Sequence, residues 1–126
     1  RLCENDPIRK NIPSEWRVRD CRREMFHLGD SAVICVAHLD RIPTTEAELM
    51  KYRWGTFSIF YTVWSSEKGF GRKIIEETKT LLQGQHFNNR YITMSPKTEM
   101  ATKFHLKNGA ILLQENQTTN NFEYKS

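Results

Sequence analysis

The apolar pattern of the chain is most continuous from Thr56 to Trp64, where aromatic and β-branched residues follow one another without a charged side chain. A strand with both faces covered has this pattern, because neither face meets water. We therefore predict a buried strand over these residues. Successive side chains of a strand point to opposite faces, so one face is expected to carry Phe57, Ile59, Tyr61 and Val63.

The segment after Gly71 changes to a helical period. Apolar residues recur every three or four positions as far as Leu82, and charged residues lie between them, which predicts an amphipathic helix. Gly84 is expected to end this helix. The buried stripe is predicted to consist of Phe70, Ile74, Ile75, Thr78, Leu81 and Leu82.

Shorter patterns predict the remaining elements. Gly29 and Asp30 mark a hairpin turn, and Thr45 and Glu48 have the spacing of a helix capping box. Residues 1–14 contain prolines and few apolar positions, which predicts an irregular arm. Further strands are predicted at 16–18, 24–28, 31–39, 91–94, 110–114 and 121–124, and further helices at 44–50 and 95–109.

The composition indicates a single domain over residues 1–126. A chain of 126 residues can bury about two-thirds of its unfolded surface in one core. The formal net charge of +4 permits an anionic ligand or partner. However, 15 acidic residues are mixed among the 19 basic ones, so an ordinary solvated surface explains the charge better.

Cysteine usage and hydropathy set expectations for the cellular environment. The three cysteines are far apart in the sequence, so neither a disulfide framework nor a zinc site is indicated. No stretch approaches the roughly 18 apolar residues of a membrane-spanning helix, and no basic-then-apolar leader opens the chain. We therefore expect a soluble, cytoplasmic protein without a membrane partner.

The stretch between the buried strand and the amphipathic helix has the residues of an anion site. It reads Glu67-Lys68-Gly69-Phe70-Gly71-Arg72. The glycines let the backbone approach a ligand, and free amide groups at a helix N-terminus attract negative charge. A tight strand-to-helix turn would need the same glycines, so both interpretations stay open.

Two segments resemble motifs of the GNAT-type N-acetyltransferases. Residues 66–71, Ser-Glu-Lys-Gly-Phe-Gly, are similar to motif A, whose Gln/Arg-x-x-Gly-x-Gly/Ala loop holds the pyrophosphate of acetyl-CoA; Ser66 departs from the first position. A second set of residues is similar to motif B and comprises Thr98, Ala101, Phe104, His105, Lys107, Gly109 and Ala110. The resemblance implies a mixed α/β (α+β) fold. Its sheet is expected to be mostly antiparallel and flanked by helices, with the usual two N-terminal helices reduced or absent.

The resemblance also implies acetyl-CoA as the cofactor and a position for it. The cofactor is expected where the strands at 56–64 and 91–94 diverge, with the pantetheine arm against Tyr61 or Val63. Thr98 and Phe104 are expected to complete the cofactor site, and no metal is implied. The phosphates are expected on the loop formed by Ser66, Glu67, Lys68, Gly69, Phe70, Gly71 and Arg72.

The activity implied by the resemblance is direct transfer of the acetyl group to an amine of a small molecule or peptide. The buried strand offers no acidic residue as the base, which leaves Glu67, His27 and His38 as candidates. Each is better explained as a surface charge or a hydrogen-bonded histidine. His105 stands where the family commonly has a tyrosine that protonates the leaving thiolate, which makes it a candidate general acid. A surface histidine near a helix end is the alternative for His105.

Two other functions compete with this interpretation. The same fold without catalysis would bind acyl-CoA or a partner protein as a module. A nucleic-acid-binding module is less well supported, because no recognised motif accompanies the cluster of Arg17, Arg19, Arg22 and Arg23. The family often forms dimers through its final strands, which suggests a homodimer.

Overall fold

One mixed β-sheet organises the part of the chain that the structure, a computed structural model, describes: residues 23–66, 68–85 and 90–125. Three helices flank this sheet within those ranges, namely α1 (Glu46–Lys51), α2 (Phe70–Gln85) and α3 (Glu99–Lys107). The strands are β1 (Arg23–Leu28), β2 (Ala32–Leu39), β3 (Phe57–Ser65), β4 (Arg90–Thr93), β5 (Ser95–Pro96), β6 (Ile111–Glu115) and β7 (Thr119–Tyr124).

The sheet confirms the predicted fold class of a mixed, mostly antiparallel α+β domain. Across the described residues its seven strands follow the order β1-β2-β3-β4-β7-β5, and β6 pairs with β7. The pair β3–β4 is parallel, and the others are antiparallel. The predicted hairpin turn joins β1 to β2, where Gly29 has a φ of +51° that favours glycine.

A bulge in β3 changes the predicted assignment of its faces. Cys35 of β2 pairs with Thr62, but the next residue along β2 pairs with Phe60, so Tyr61 is an extra residue in β3. An extra residue reverses the alternation of side chains beyond it. Val63 therefore packs with Phe60 on one face while Tyr61 lies on the other. The prediction that Tyr61 and Val63 share a face was wrong, because period-two alternation assumes an uninterrupted ladder.

Two apolar clusters cover the two faces of the sheet. On one face, Leu49 of α1 packs against a cluster that includes Ile59 and Tyr61. On the other face, Ile74 and Leu82 of α2 pack against a cluster that includes Phe60, Tyr91 and Phe122. Phe104 of α3 packs on this second cluster. The second face, which we call the α2/α3 face, carries the candidate site.

The helix α2 confirms most of the predicted stripe and corrects its end. Ile74, Ile75 and Leu82 are buried as predicted, but Leu81 is 50% exposed and does not belong to the stripe. The helix continues through Gly84 to Gln85, so Gly84 does not end it. The physical reason is that Gly84 does not adopt the positive φ of a glycine helix terminator.

The helix α3 begins later than predicted. Its N-cap is Thr98, whose hydroxyl accepts a hydrogen bond from the Ala101 N–H at 3.1 Å. The helix was predicted to begin at Ser95, but Ser95 lies in the short strand β5 and is buried. Pairing with β7 holds residues 95 and 96 in extended conformation, so the helix starts after them. Gly109 follows the helix with a φ of +94°, as the prediction of a terminal glycine requires.

Several predictions fall outside the described residues. These are the arm at 1–14, the strand at 16–18, Glu67, and Arg17, Arg19 and Arg22 of the arginine cluster. Arg23 of that cluster is 3% exposed and donates a hydrogen bond to the carbonyl of Leu49, so it does not contribute to a cationic surface.

Two further observations concern the expected environment of the protein. Cys35 is disulfide-bonded, which the spacing of the cysteines did not predict. No helix in the described part of the chain is long and apolar enough to span a bilayer.

Candidate active site

A cleft opens where β3 and β4 separate. Their parallel pairing ends at Phe60 and Thr93, and the last link is the Met94 N–H donating to the Phe60 carbonyl at 3.1 Å. The chain after β4 then pairs with β7 instead, as strand β5. Residues 62–65 of β3 consequently pair with β2 but with no strand on the cleft side within the described residues. The predicted divergence of the two strands is confirmed, and it leaves a cleft of about 330 Å³.

The lining of this cleft brings together part of the predicted site and several residues that were not predicted. No lining residue is Asp, Glu, Lys or Arg in the described part of the chain. The predicted residues that line it are Tyr61, Val63, Gly71, Thr98, Phe104 and His105, and the residues missed from the sequence include Thr62, Ser65, Met94, Ser95 and Met100. The cleft therefore offers neutral hydrogen-bonding groups in largely apolar surroundings.

His105 is a buried and uncharged member of this cleft. It is 5% exposed and its ring lies between Phe104 and Phe122, with centroids 5.2 Å from each. Burial lowers the pKa of His105 to about 4, because the charged imidazolium would lose its hydration. At neutral pH the ring is therefore neutral and carries one N–H.

A hydrogen bond with Tyr124 orients the His105 ring. The Tyr124 hydroxyl and His105 Nδ1 are 2.7 Å apart, which is a short hydrogen bond. Burial, and secondarily the negative charge of Glu76, raise the pKa of Tyr124, so the hydroxyl stays protonated at neutral pH. When this hydroxyl donates to Nδ1, the ring proton resides on Nε2.

Ser95 is a second polar residue of the cleft, and it was predicted from the sequence to lie in a helix rather than in a strand. Its hydroxyl donates to Thr93 Oγ1 at 2.8 Å, and Thr93 Oγ1 also accepts from the Phe122 N–H at 3.1 Å. These bonds tie Ser95 to two neighbouring strands. Because hydroxyl protons rotate, Thr93 can also donate to Ser95 and leave the Ser95 proton free for a ligand. The missed signal is the Ser95-Pro96 pair, since residues before proline favour extended backbone over helix.

The glycine loop borders one end of the cleft. Gly69 has a φ of +93°, and the first helical hydrogen bond of α2 runs from the Lys73 N–H to the Gly69 carbonyl at 3.2 Å. The N–H groups of Phe70, Gly71 and Arg72 precede this bond and have no partner inside the helix. Lys68 and Arg72 are exposed beside them, as an anion site requires.

Contacts on either side of the loop define which of its residues face the cleft. Ser66 is held away from the cleft, because its N–H and hydroxyl both donate to the Ser31 carbonyl, at 2.8 and 3.3 Å. Gly71 lies against α3: a Cβ added there would be 3.0 Å from the ring of Phe104. Of the loop residues, Gly71 lines the cleft itself, whereas Ser66, Lys68, Gly69, Phe70 and Arg72 do not.

The three residues proposed as a base do not assemble in the cleft. His38 is buried in contact with Ser58 Oγ at 3.0 Å and Glu24 Oε2 at 2.5 Å, and it does not line the cleft. His27 lines a different, larger groove of about 680 Å³ between β1 and α2. Glu67 is outside the described residues.

Solved structures with a similar fold include two malonyl-CoA decarboxylases. The one from Agrobacterium vitis matches with a TM-score of 0.75 and 15% identity over 96% of this chain. The one from Cupriavidus metallidurans matches with a TM-score of 0.51 and 22% identity over 64% of this chain. This likeness shows the fold. The matches span 55% and 24% of the two decarboxylase chains, so this chain corresponds to a part of each. No protein-family model and no curated protein matches the sequence.

These comparisons overturn the resemblance to GNAT-type N-acetyltransferases. The similar structures carry the name of enzymes that remove a carboxyl group from malonyl-CoA, not of enzymes that transfer acetyl groups to amines. The predicted N-acetyltransferase activity was therefore wrong, and the alternative of an inactive GNAT module has no support. The motifs misled because a strand, a glycine loop and a helix N-terminus describe a way of binding phosphates rather than a reaction.

Proposed function

We propose that this chain binds a CoA thioester in the cleft between β3 and α3 and decarboxylates a malonyl-type acyl group. The observation that carries the proposal is the juxtaposition of Ser95 and His105 in an uncharged cleft that ends at the glycine loop of α2. The likeness in fold to malonyl-CoA decarboxylases supports it. Acetyl-CoA is then a product of the reaction.

The glycine loop supplies the site for the CoA phosphates. The free N–H groups at the start of α2 point away from the helix and carry the positive end of its dipole. Lys68 and Arg72 add two exposed positive charges. Because Gly71 and Phe104 both line the cleft, the pantetheine arm would run from the glycine loop past these residues into the cleft beside β3.

The unpaired side of β3 supplies groups for the thioester. Residues 62–65 pair with β2 on one side and with no described strand on the cleft side, so their backbone groups on that side can meet the pantetheine arm and the thioester carbonyl. A thioester carbonyl that accepts hydrogen bonds stabilises the negative charge that develops on its oxygen during the reaction.

The uncharged lining favours loss of carbon dioxide. A carboxylate held by neutral donors in apolar surroundings is less stable than one paired with Arg or Lys, and carbon dioxide carries no charge. When the bond between the α carbon and the carboxyl group breaks, the electron pair passes into the thioester as an enolate. Ser95 lies within the cleft as a hydroxyl donor for the acyl group.

His105 supplies the proton that completes the reaction. The enolate carbon must gain one proton to become the acetyl thioester. With Tyr124 donating to Nδ1, the His105 Nε2–H is the donor, and solvent restores the proton after each turnover. The low pKa of His105 does not prevent this role, because the neutral imidazole still carries its N–H.

The test is to incubate the purified chain with malonyl-CoA and measure acetyl-CoA and carbon dioxide. We expect both products in equal amounts from the wild type. The His105→Phe variant should lower kcat by roughly 100- to 10,000-fold, the usual contribution of a positioned acid or base. His27→Phe is the matched control, since His27 is exposed on β1 outside the cleft and should leave kcat unchanged.

Two results would overturn the proposal. The first is a folded wild type that forms neither product at saturating malonyl-CoA. The second is a His105→Phe variant as active as the wild type.

A further inference from the structure

Asn120 carries a buried polar atom that the fold does not satisfy. The residue is 6% exposed, and in the described part of the chain its Oδ1 atom has no hydrogen-bond partner. A buried carboxamide oxygen without a partner is rare in folded proteins, because its lost hydration is not replaced. Such a group indicates a ligand, provided that it lies beside a site.

The strand register places Asn120 beside Ser95. The two residues are directly opposed in the antiparallel pair of β5 and β7, so their side chains share a face and lie about 5 Å apart at Cβ. Along β7, Asn120 is two residues from Phe122 and four from Tyr124, so the three side chains share one face of the sheet. Phe122 and Tyr124 contact the His105 ring. Asn120 therefore lies on the α2/α3 face with Ser95 and His105, next to the lining residue Ser95 rather than in the cleft lining itself.

The neighbouring Asn121 has protein hydrogen-bond partners at both ends of its carboxamide. Its Nδ2 group donates to the carbonyls of Pro43 and Thr93, at 3.1 and 2.8 Å. Its Oδ1 atom accepts from the side chains of Gln114 and Asn116, at 2.9 and 2.7 Å. Asn121 thus uses its whole carboxamide within the protein, whereas Asn120, one position earlier, does not.

We infer that Asn120 is a specificity residue that, beside Ser95, binds the free carboxylate of the malonyl-type acyl group. This inference rests on the proposed function. A carboxylate needs hydrogen-bond donors, and a half-turn of the carboxamide presents its NH2 group where the oxygen now lies. The Ser95 hydroxyl and the Asn120 NH2 then form a pair of neutral donors on one face of the sheet.

Neutral hydrogen-bond donors are better suited than Arg or Lys to bind a carboxylate that is lost as carbon dioxide. The cleft lining of the described residues contains no Arg or Lys, so a charged partner would not hold the carboxylate in place. Two neutral hydrogen bonds distinguish a malonyl from an acetyl group, which lacks the carboxylate. They stabilise the bound carboxylate less than an ion pair would, and so oppose decarboxylation less.

The test is the Asn120→Leu variant, which keeps the approximate size of the side chain and removes both polar ends. We expect kcat/KM for malonyl-CoA to fall roughly 10- to 100-fold, the effect of losing a hydrogen bond to a charged group. The Kd for acetyl-CoA, measured by calorimetry, should stay within about two-fold, because acetyl-CoA has no carboxylate to lose contact with. The Asn120→Asp variant should reduce kcat/KM further, since its charge repels the substrate carboxylate.

Thermal unfolding separates this role from a structural one. Removing an unsatisfied buried group should leave the Tm of Asn120→Leu unchanged or raise it by a few degrees. Asn121→Leu is the matched control and should lower the Tm by several degrees, because it leaves the carbonyls of Pro43 and Thr93 without their donor.

The outcomes are distinct for the inference and for the proposed function. An Asn120→Leu variant with wild-type kcat/KM, with equally weakened acetyl-CoA binding, or with a clearly lowered Tm would overturn the inference while decarboxylation stands. If the wild type binds malonyl-CoA without turning it over, we expect it to bind malonyl-CoA more tightly than acetyl-CoA, and we expect Asn120→Leu to bind the two equally. An Asn120→Leu variant that still prefers malonyl-CoA would overturn the inference. If the wild type binds neither thioester, both proposals fail.

Discussion

Protonation of His105 should make the stability of this protein depend on pH in a calculable way. The pKa of His105 is lowered from 6.5 to about 4 by burial in the folded state. Between these two values the unfolded chain binds more protons at this residue than the folded chain does. Stability therefore rises with pH across this window, and it is lost as the pH falls from about 6.5 towards 4.

The size of the effect follows from the two pKa values. Each unit of pKa difference corresponds to about 1.4 kcal/mol. Lowering the pH from about 7.5 to about 4.5 should therefore cost about 2–3 kcal/mol of unfolding free energy through His105 alone. The value of about 4 for His105 enters this figure directly, so the measurement also tests that pKa.

The measurement is urea denaturation of the wild type and His105→Phe at several pH values. The variant leaves the Tyr124 hydroxyl without its partner, but this penalty is independent of pH because the pKa of Tyr124 is raised far above the range. All other titratable residues are the same in both proteins, so the difference between wild type and variant isolates His105. The stability advantage of the wild type should shrink by about 2–3 kcal/mol on acidification. A difference that stays constant from pH 7.5 to 4.5, or grows, would show that burial does not lower the pKa of His105.

Two glycine substitutions test close contacts, Gly71 at the cleft and Gly55 in the segment before β3, and they share Gly84 as their control, because a Cβ at Gly84 meets no atom within 4 Å. Gly71→Trp should abolish CoA-thioester binding in calorimetry while the circular dichroism spectrum is kept, since the side chain must enter the cleft beside Phe104; binding equal to that of Gly84→Trp would refute the position of the loop. Gly55→Ala should destabilise the fold by at least about 3 kcal/mol in urea, because its Cβ would lie 2.3 Å from the Cα of Asp40, a backbone atom that has no room to move. Gly84→Ala should instead stabilise by about 0.5–1 kcal/mol, and equal midpoints for the two alanine variants would refute the packing argument.

The sequence predicted those elements whose pattern is strong and local. The hydrophobic run of β2, with Ala32 to Leu39 all buried, is readable because both of its faces are covered. The apolar stripe of α2 repeats over several turns and so has a clear period. The turn at Gly29 and the end of α3 at Gly109 depend on positive φ values, which the glycines themselves indicate.

The sequence did not predict features that depend on long-range pairing. Nothing near Tyr61 indicates a bulge, because the extra residue is defined only by the register with β2. Ser95 was assigned to the start of a helix, since serine is a common N-cap and β5 is only two residues long. The opposition of Ser95 and Asn120 requires knowledge that β5 pairs with β7, which no local pattern contains.

The function was misassigned for a different reason. A glycine loop before a helix N-terminus is a local pattern, so a sequence can indicate a phosphate site directly. The reaction depends on which groups meet at the other end of the cleft. The departures from the expected motifs at Thr98 and His105 were signals that this chemistry differs, but a departure does not name the reaction that replaces it.

The bulge at Tyr61 connects the fold to the proposed chemistry. The parallel pairing of β3 with β4 ends at Phe60, immediately before the bulge, and residues 62–65 of β3 pair with β2 but with no described strand on the cleft side. A bulge bends and twists its strand, which accounts for the separation of β3 from β4 at this point. The same separation leaves β5 to pair with β7, and that pairing sets Ser95 opposite Asn120. In the proposed function, this single extra residue in β3 opens the space for the thioester and brings Ser95 and Asn120 together beside that space.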